Sequence, residues 1–114
     1  MTIRYKSETF DLTTTNVTTV LTCPADATII GKSLQISHQA GGSIDVDVFL
    51  QKSGGSDVDI AHQTLSAGFD NFIKASLNME ADDILKVQAN TSNAVTGVVS
   101  YALIDRSQEN GQKI

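Results

Sequence analysis

Ser43-Ile44-Asp45-Val46-Asp47-Val48-Phe49-Leu50-Gln51 alternates with a period of two: Ile44, Val46, Val48 and Leu50 point one way, and Ser43, Asp45, Asp47 and Gln51 the other. That is a strand with one face in a core and one in water. Gly41-Gly42 precedes it and Ser53-Gly54-Gly55-Ser56 follows, as hairpin connections that need positive φ would demand. Phe49 falls on the wet face. It is either a contact residue or an aromatic covered by a neighbouring loop or sheet edge.

Similar runs lie on both sides. Ile3 to Leu12 alternates loosely, and Val17 to Thr22 is β-branched after the break at Thr13-Thr14-Thr15-Asn16. From Thr28 to Ser37, Ile30, Lys32, Leu34 and Ile36 form one alternating set, and Ile29, Gly31, Ser33, Gln35 and Ser37 the other. In that reading Lys32 has to lie near a sheet edge or extend its ammonium to solvent. Val58 to Leu65 follows, then the turn Ser66-Ala67-Gly68. Phe69 to Leu77 is expected as a strand, although Phe69, Phe72, Ile73 and Leu77 also fit helical spacing. Asp83 to Ala89 and Ala94 to Ile104 make a hairpin around Asn90-Thr91-Ser92-Asn93. About eight short antiparallel strands, one proline and no convincing helix predict an all-β, single-domain β-sandwich or jelly roll over residues 1–114. Its core is expected at residues 17–104, with an N-terminal arm over 1–10 and a tail over 105–114 that fray or make contacts.

A chain of 114 residues, 40% of them hydrophobic, builds its own core without a metal or disulfide. The single Cys23 has no partner and reads as a small buried residue. Thirteen acidic and eight basic side chains give a net charge of −5, and the basic ones are scattered, which argues against nucleic acid. With 5% aromatics and no Trp, stacking faces for sugars or single strands are scarce. No apolar run is long enough for a membrane span, and Met1 to Glu8 has no apolar leader core, so no membrane partner is expected and synthesis is expected in a cytoplasm. The sequons at Asn16 and Asn90 then read as polar turns.

Chemistry is sparse. Asp45 with Asp47 and Asp57 with Asp59 form D-x-D pairs that could meet across one hairpin as oxygen ligands for a hard cation such as calcium. But residues i and i+2 of a strand lie about 6.5 Å apart, too far for both to hold one small ion without help. His38 and His62 have no Cys or second His at ligand spacing, and no strained turn presents a serine to them. Glu80, Asp82 and Asp83 read as a strand cap in which Asp82 or Asp83 bonds the backbone. No catalytic residue, cofactor or metal is expected.

Cys23-Pro24-Ala25-Asp26-Ala27-Thr28-Ile29-Ile30-Gly31-Lys32-Ser33-Leu34 and Met79-Glu80-Ala81-Asp82-Asp83-Ile84-Leu85-Lys86-Val87-Gln88-Ala89 set a Pro-Ala turn before a long apolar strand and an acidic turn before a Leu-x-Val strand. With the Val-rich strand that carries Ser100-Tyr101, this order resembles the small β-sandwich structural proteins of tailed bacteriophages over residues 17–104. The resemblance implies a non-enzymatic virion protein made in the host bacterial cytoplasm. Its implied role is capsid decoration or cement, docking on major capsid protein or other virion structural proteins. A neck, tail or baseplate accessory place is the alternative, and a glycan-binding β-module the rival from another class. Free sheet edges lead us to expect a homo-oligomer, a trimer at first guess. The contact residues expected are Ile3, Tyr5 and Phe10 of the arm, Phe49, and Arg106 and Ile114 of the tail.

Overall fold

A computed structural model describes residues 2–38, 41–66, 68–73 and 75–106. It is a β-sandwich of two antiparallel sheets, with no helix among the described residues. Among the described residues nine strands succeed one another: β1 (Thr2–Leu12), β2 (Thr18–Thr22), β3 (Ala27–His38), β4 (Ile44–Gln51), β5 (Asp57–Leu65), β6 (Gly68–Asn71), β7 (Leu77–Met79), β8 (Ile84–Ala89) and β9 (Val95–Asp105). Sheet I runs β1-β9-β3-β6, with β7 also paired to β3; sheet II runs β2-β8-β4-β5.

The core is where the two patterned faces meet. Val46 and Val48 of β4 and Leu85 and Val87 of β8 are buried, as are Leu34, Ile36, Val95 and Val99 of sheet I. The alternation read in Ile44 to Leu50 is therefore the one the fold uses, with Leu50 only partly buried at the end of β4. Cys23 is buried, its thiol 3.4 Å from the Ala27 carbonyl oxygen, and burial pushes its pKa up.

Three departures from the sequence reading have local causes. In β3 the pairing with β9 skips a residue between Gly31 and Ser33. Lys32 is the extra residue of this bulge and stays exposed in the middle of a central strand. The bulge also exchanges the faces, so Ile29 is buried together with Leu34 and Ile36, while Ile30 turns outward and is half-buried. The stretch Phe69 to Leu77 is two short strands instead of one. Between them Phe72 and Ile73 drop into the core, and Asn71 Oδ1 accepts from Leu34 N at 2.9 Å and Ile73 N at 3.1 Å, replacing ladder bonds with side-chain ones. Finally, the stretch expected as an arm over residues 1–10 belongs to an edge strand, Thr2–Leu12, so sheet I is wider than residues 17–104 alone would make it.

At one end of β1, the half-buried Phe10 lies against Gly97 on β9. A Cβ on Gly97 would collide with that ring and lie 2.7 Å from the Gln35 carbonyl oxygen. Glycine is needed there for close approach.

The acidic turn before β8 is a lock. Asp82 takes φ 68°, and Asp83 is 1% exposed. The Asp83 carboxylate accepts from Glu80 N at 2.8 Å, Ser53 N at 3.1 Å and Lys52 Nζ at 2.5 Å. Of the two aspartates Asp83 makes the backbone bonds, and through Ser53 it ties the β4–β5 hairpin to the start of β8. Burial works to raise its pKa, but the Lys52 ammonium and the two backbone N–H donors outweigh that and hold the carboxyl below its usual value.

Candidate functional site

The inner faces are consumed by the core, which leaves the two outer faces and the sheet edges as places to act. Antiparallel partners share a face, so the registers give each face row by row.

On sheet II, Asp45 stands opposite Thr64, Asp47 opposite His62, Phe49 opposite Asp59 and Gln51 opposite Asp57; Lys86 of β8 is on the other side of Phe49. This face is charged, and its charges have partners. Lys86 Nζ is 2.9 Å from Asp57, Thr64 Oγ1 donates to Asp45 Oδ1 at 2.7 Å, and His62 Nδ1 bonds Asp47. The bond to Asp47 and its charge push the His62 pKa up, while desolvation and then the nearby Asp47 push the Asp59 carboxyl up. Ligand atoms of Asp47, Asp59 and His62 all lie within 4.8 Å of one another. The fold thus brings one aspartate of each D-x-D pair, Asp47 and Asp59, together across the β4–β5 hairpin, and adds His62. Phe49 is half-buried among these groups.

The outer face of sheet I is of another kind. Its rows across β1, β9 and β3 are Ile3–Ile104–Thr28, Tyr5–Ala102–Ile30, Ser7–Ser100–Ser33, Thr9–Val98–Gln35 and Asp11–Thr96–Ser37. Of these fifteen side chains Asp11 alone is charged, and Lys32 adds one cation at the bulge beside Ser7 and Ser100. The last row continues to Phe69 of β6. Tyr5 is 80% exposed, Phe69 69% and Ile3 52%. Hydroxyls and small apolar groups fill most of the rest, with an open depression over Thr9, Asp11, Gln35, Ser37, Thr96 and Val98.

The free edge beside this face is β1 itself. From Ile3 to Thr9 its side chains are exposed on both faces, because sheet II does not reach over Arg4, Lys6 and Glu8. There the sandwich opens into a groove between β1 and β2, lined by Lys6, Glu8, Val20, Tyr101 and Leu103 among others. Tyr101 Oη donates to Glu8 Oε1 at 3.2 Å; burial first, and then the Glu8 charge, push the phenol pKa up.

Of the contact residues read from the sequence, Ile3 and Tyr5 stand together on the outer face of sheet I. Phe10 is at the far end of the same strand against Gly97, and Phe49 belongs to the opposite outer face. Arg106 follows β9, its N–H bonded to the Asp26 carbonyl at 2.8 Å, and Ile114 lies outside the described residues. The sequence reading missed Phe69, Ile30 and Ile104. The signal for them is parity, but only once the β3 bulge and the β1–β9–β3 order are known.

No family model matches the sequence, and no curated protein matches it. Among solved structures, the fold is similar to a chain in the acidic stable capsid structure of Helicobacter pylori bacteriophage KHP30, with TM-score 0.59 and 12% identity over 94% of this chain and 90% of that one. It is also similar to a chain of the disulfide-linked pili of Bacillus endospore appendages, with TM-score 0.52 and 14% identity over 92% of this chain and 88% of that one.

Proposed function

We propose that this chain is a non-enzymatic structural protein of a bacteriophage virion, a decoration or cement protein that docks on capsid subunits through the outer face of sheet I. The observation that carries the proposal is the nearly charge-free outer face, with Tyr5, Ile3 and Phe69 exposed on it. Interface cores are depleted of charge and enriched in aromatics, because uncharged groups are cheap to desolvate. Sharing a fold with a capsid chain across nearly the whole of both chains supports the reading, and the pilus chain adds a second repeating assembly built on the same frame. In this role copies of the chain bridge neighbouring capsid subunits and hold them against internal pressure.

The experiment is occupancy on particles. Ile3→Asp and Tyr5→Asp place charge on the docking face while leaving the core untouched. Both are expected to melt within about 2 °C of the parent, since exposed substitutions cost little, and to bind purified particles at least about tenfold more weakly. Immunogold labelling of native particles is expected over the heads. Label confined to the neck or tail, or full occupancy by both variants, overturns the decoration role.

A further inference from the structure

Sheet edges invite pairing, and proteins usually blunt them. Most of the described edges here are blunted. β6 has four residues and β7 three; β2 has five and a register shift between Thr19 and Leu21. β5 is longer, but Ile60 is the extra residue of a bulge against β4. β1 differs from all of these: eleven residues, in unbroken register with β9 from Thr2 to Leu12, with no bulge and no proline.

We infer that two copies of this chain pair edge to edge through β1, antiparallel about a two-fold axis at Ser7, joining their sheets I into one continuous sheet. The inference deepens the reading above, resting on its premise that the chain works in repeated copies. The strand's own charges select the register. Arg4, Lys6 and Glu8 share the inner face of β1, and sheet II does not cover them. With the axis at Ser7, residue 6 faces residue 8 of the second copy, so Lys6 meets Glu8 twice. Arg4 then stands diagonal to the same Glu8, within reach of its long side chain. An axis at Arg4, Lys6 or Glu8 sets that charge against itself, and one at Tyr5 sets Arg4 against Lys6. At Thr9 no opposite charges meet. On the outer face the Ser7 register puts Tyr5 beside Thr9 and Ile3 beside Asp11 of the other copy, so Asp11 remains the one charge in the rows that meet across the axis. A symmetric edge contact of this kind is closed and isologous, and its product is a dimer.

Sedimentation of the full-length chain between about 1 and 100 µM, the range in which modest homodimers form, tests the inference. The parent is expected to be a dimer. Lys6→Glu and Glu8→Lys each oppose like charges and are expected to weaken association at least about tenfold, an effect within reach of two repeated charge pairs. The double variant K6E/E8K restores the pairing and is expected to restore the dimer, because position 6 meets position 8 and not itself. Ser7→Cys is expected to give a covalent dimer on mild oxidation, its thiols facing each other across the axis, and Thr9→Cys is not. A monomeric parent, a trimer, failure of the folded double variant to reassociate, or equal cross-linking at positions 7 and 9 overturns edge pairing. A chain that is monomeric alone yet occupies particles overturns this inference and leaves the virion reading standing; a dimer that never binds particles does the reverse.

Discussion

The two outer faces of the sandwich have the same backbone geometry and opposite chemistry. Sheet II presents Asp45, Asp47, Asp57, Asp59, His62 and Lys86, several of them bonded to one another. Sheet I presents hydroxyls, small apolar groups, Ile3, Tyr5 and Phe69, with Asp11 the one charge in its paired rows. Covering the first would strip water from charges that already have partners in the chain, at a cost the new contacts must exceed. Covering the second costs little. In the role proposed above, the pairs on sheet II serve the fold, and the surface on sheet I is the one a partner would use.

That contrast says where substitutions should register in thermal melting. The largest loss is expected from Asp83→Ala, which removes the acceptor for two backbone N–H groups and for Lys52 at the end of sheet II. At about 2–4 kcal/mol it lowers the melting temperature by roughly 8–15 °C. Because the Asp83 carboxyl is held below its usual value, its contribution is fully present above the unfolded carboxylate range near pH 4 and is lost as pH falls through the folded value. Asp83→Asn is expected to flatten the acid limb of a melting-temperature profile. Gly97→Val, which forces Phe10 off β9, is expected to cost about 1–3 kcal/mol and to melt several degrees lower; an unchanged melt would mean that β1 is not held through that contact.

Smaller effects follow on the exposed part of sheet II. Asp47 raises the His62 pKa, so the stabilisation from that pair is complete below the unfolded histidine value and fades as pH rises through the folded one. The parent should show a shallow fall in melting temperature from about pH 6 to 8 that His62→Gln lacks. The smallest effect is expected from a chelator. Asp47, Asp59 and His62 lie on an open strand surface, and melting should not move; a fall of more than about 5 °C would make that trio a metal site.

Much of the frame could be read from residue order. Alternation from Ile44 to Leu50 and the glycine pairs around it placed β4 and its inner face, and the acidic turn at Asp82-Asp83 placed the start of β8. Lys32 misled because a bulge needs no special residue, so nothing at position 32 announces that the faces exchange there. Phe72 and Ile73 suggested a continuous element because their burial comes from an Asn71 side chain taking over ladder bonds, which periodicity does not report. The candidate face was legible only in part. Ile3 and Tyr5 stand out in a polar segment, but the surface they belong to is assembled from residues 2–12, 27–38 and 95–105, and its lack of charge exists only in that assembly.

The pairing of β1 with β9 also sets an order of events in folding. Thr2 finds its partner at Asp105, so sheet I joins strands far apart in sequence, whereas β4 and β5 of sheet II are neighbours in sequence. Contacts that close such long loops form late. During synthesis the β4–β5 hairpin can form as it emerges, while β1 waits, unpaired, until β9 has left the ribosome. In that interval a chain further along the same message already exposes its β9, which the waiting β1 can meet first. Exchange of β1 between copies is the characteristic error open to this topology.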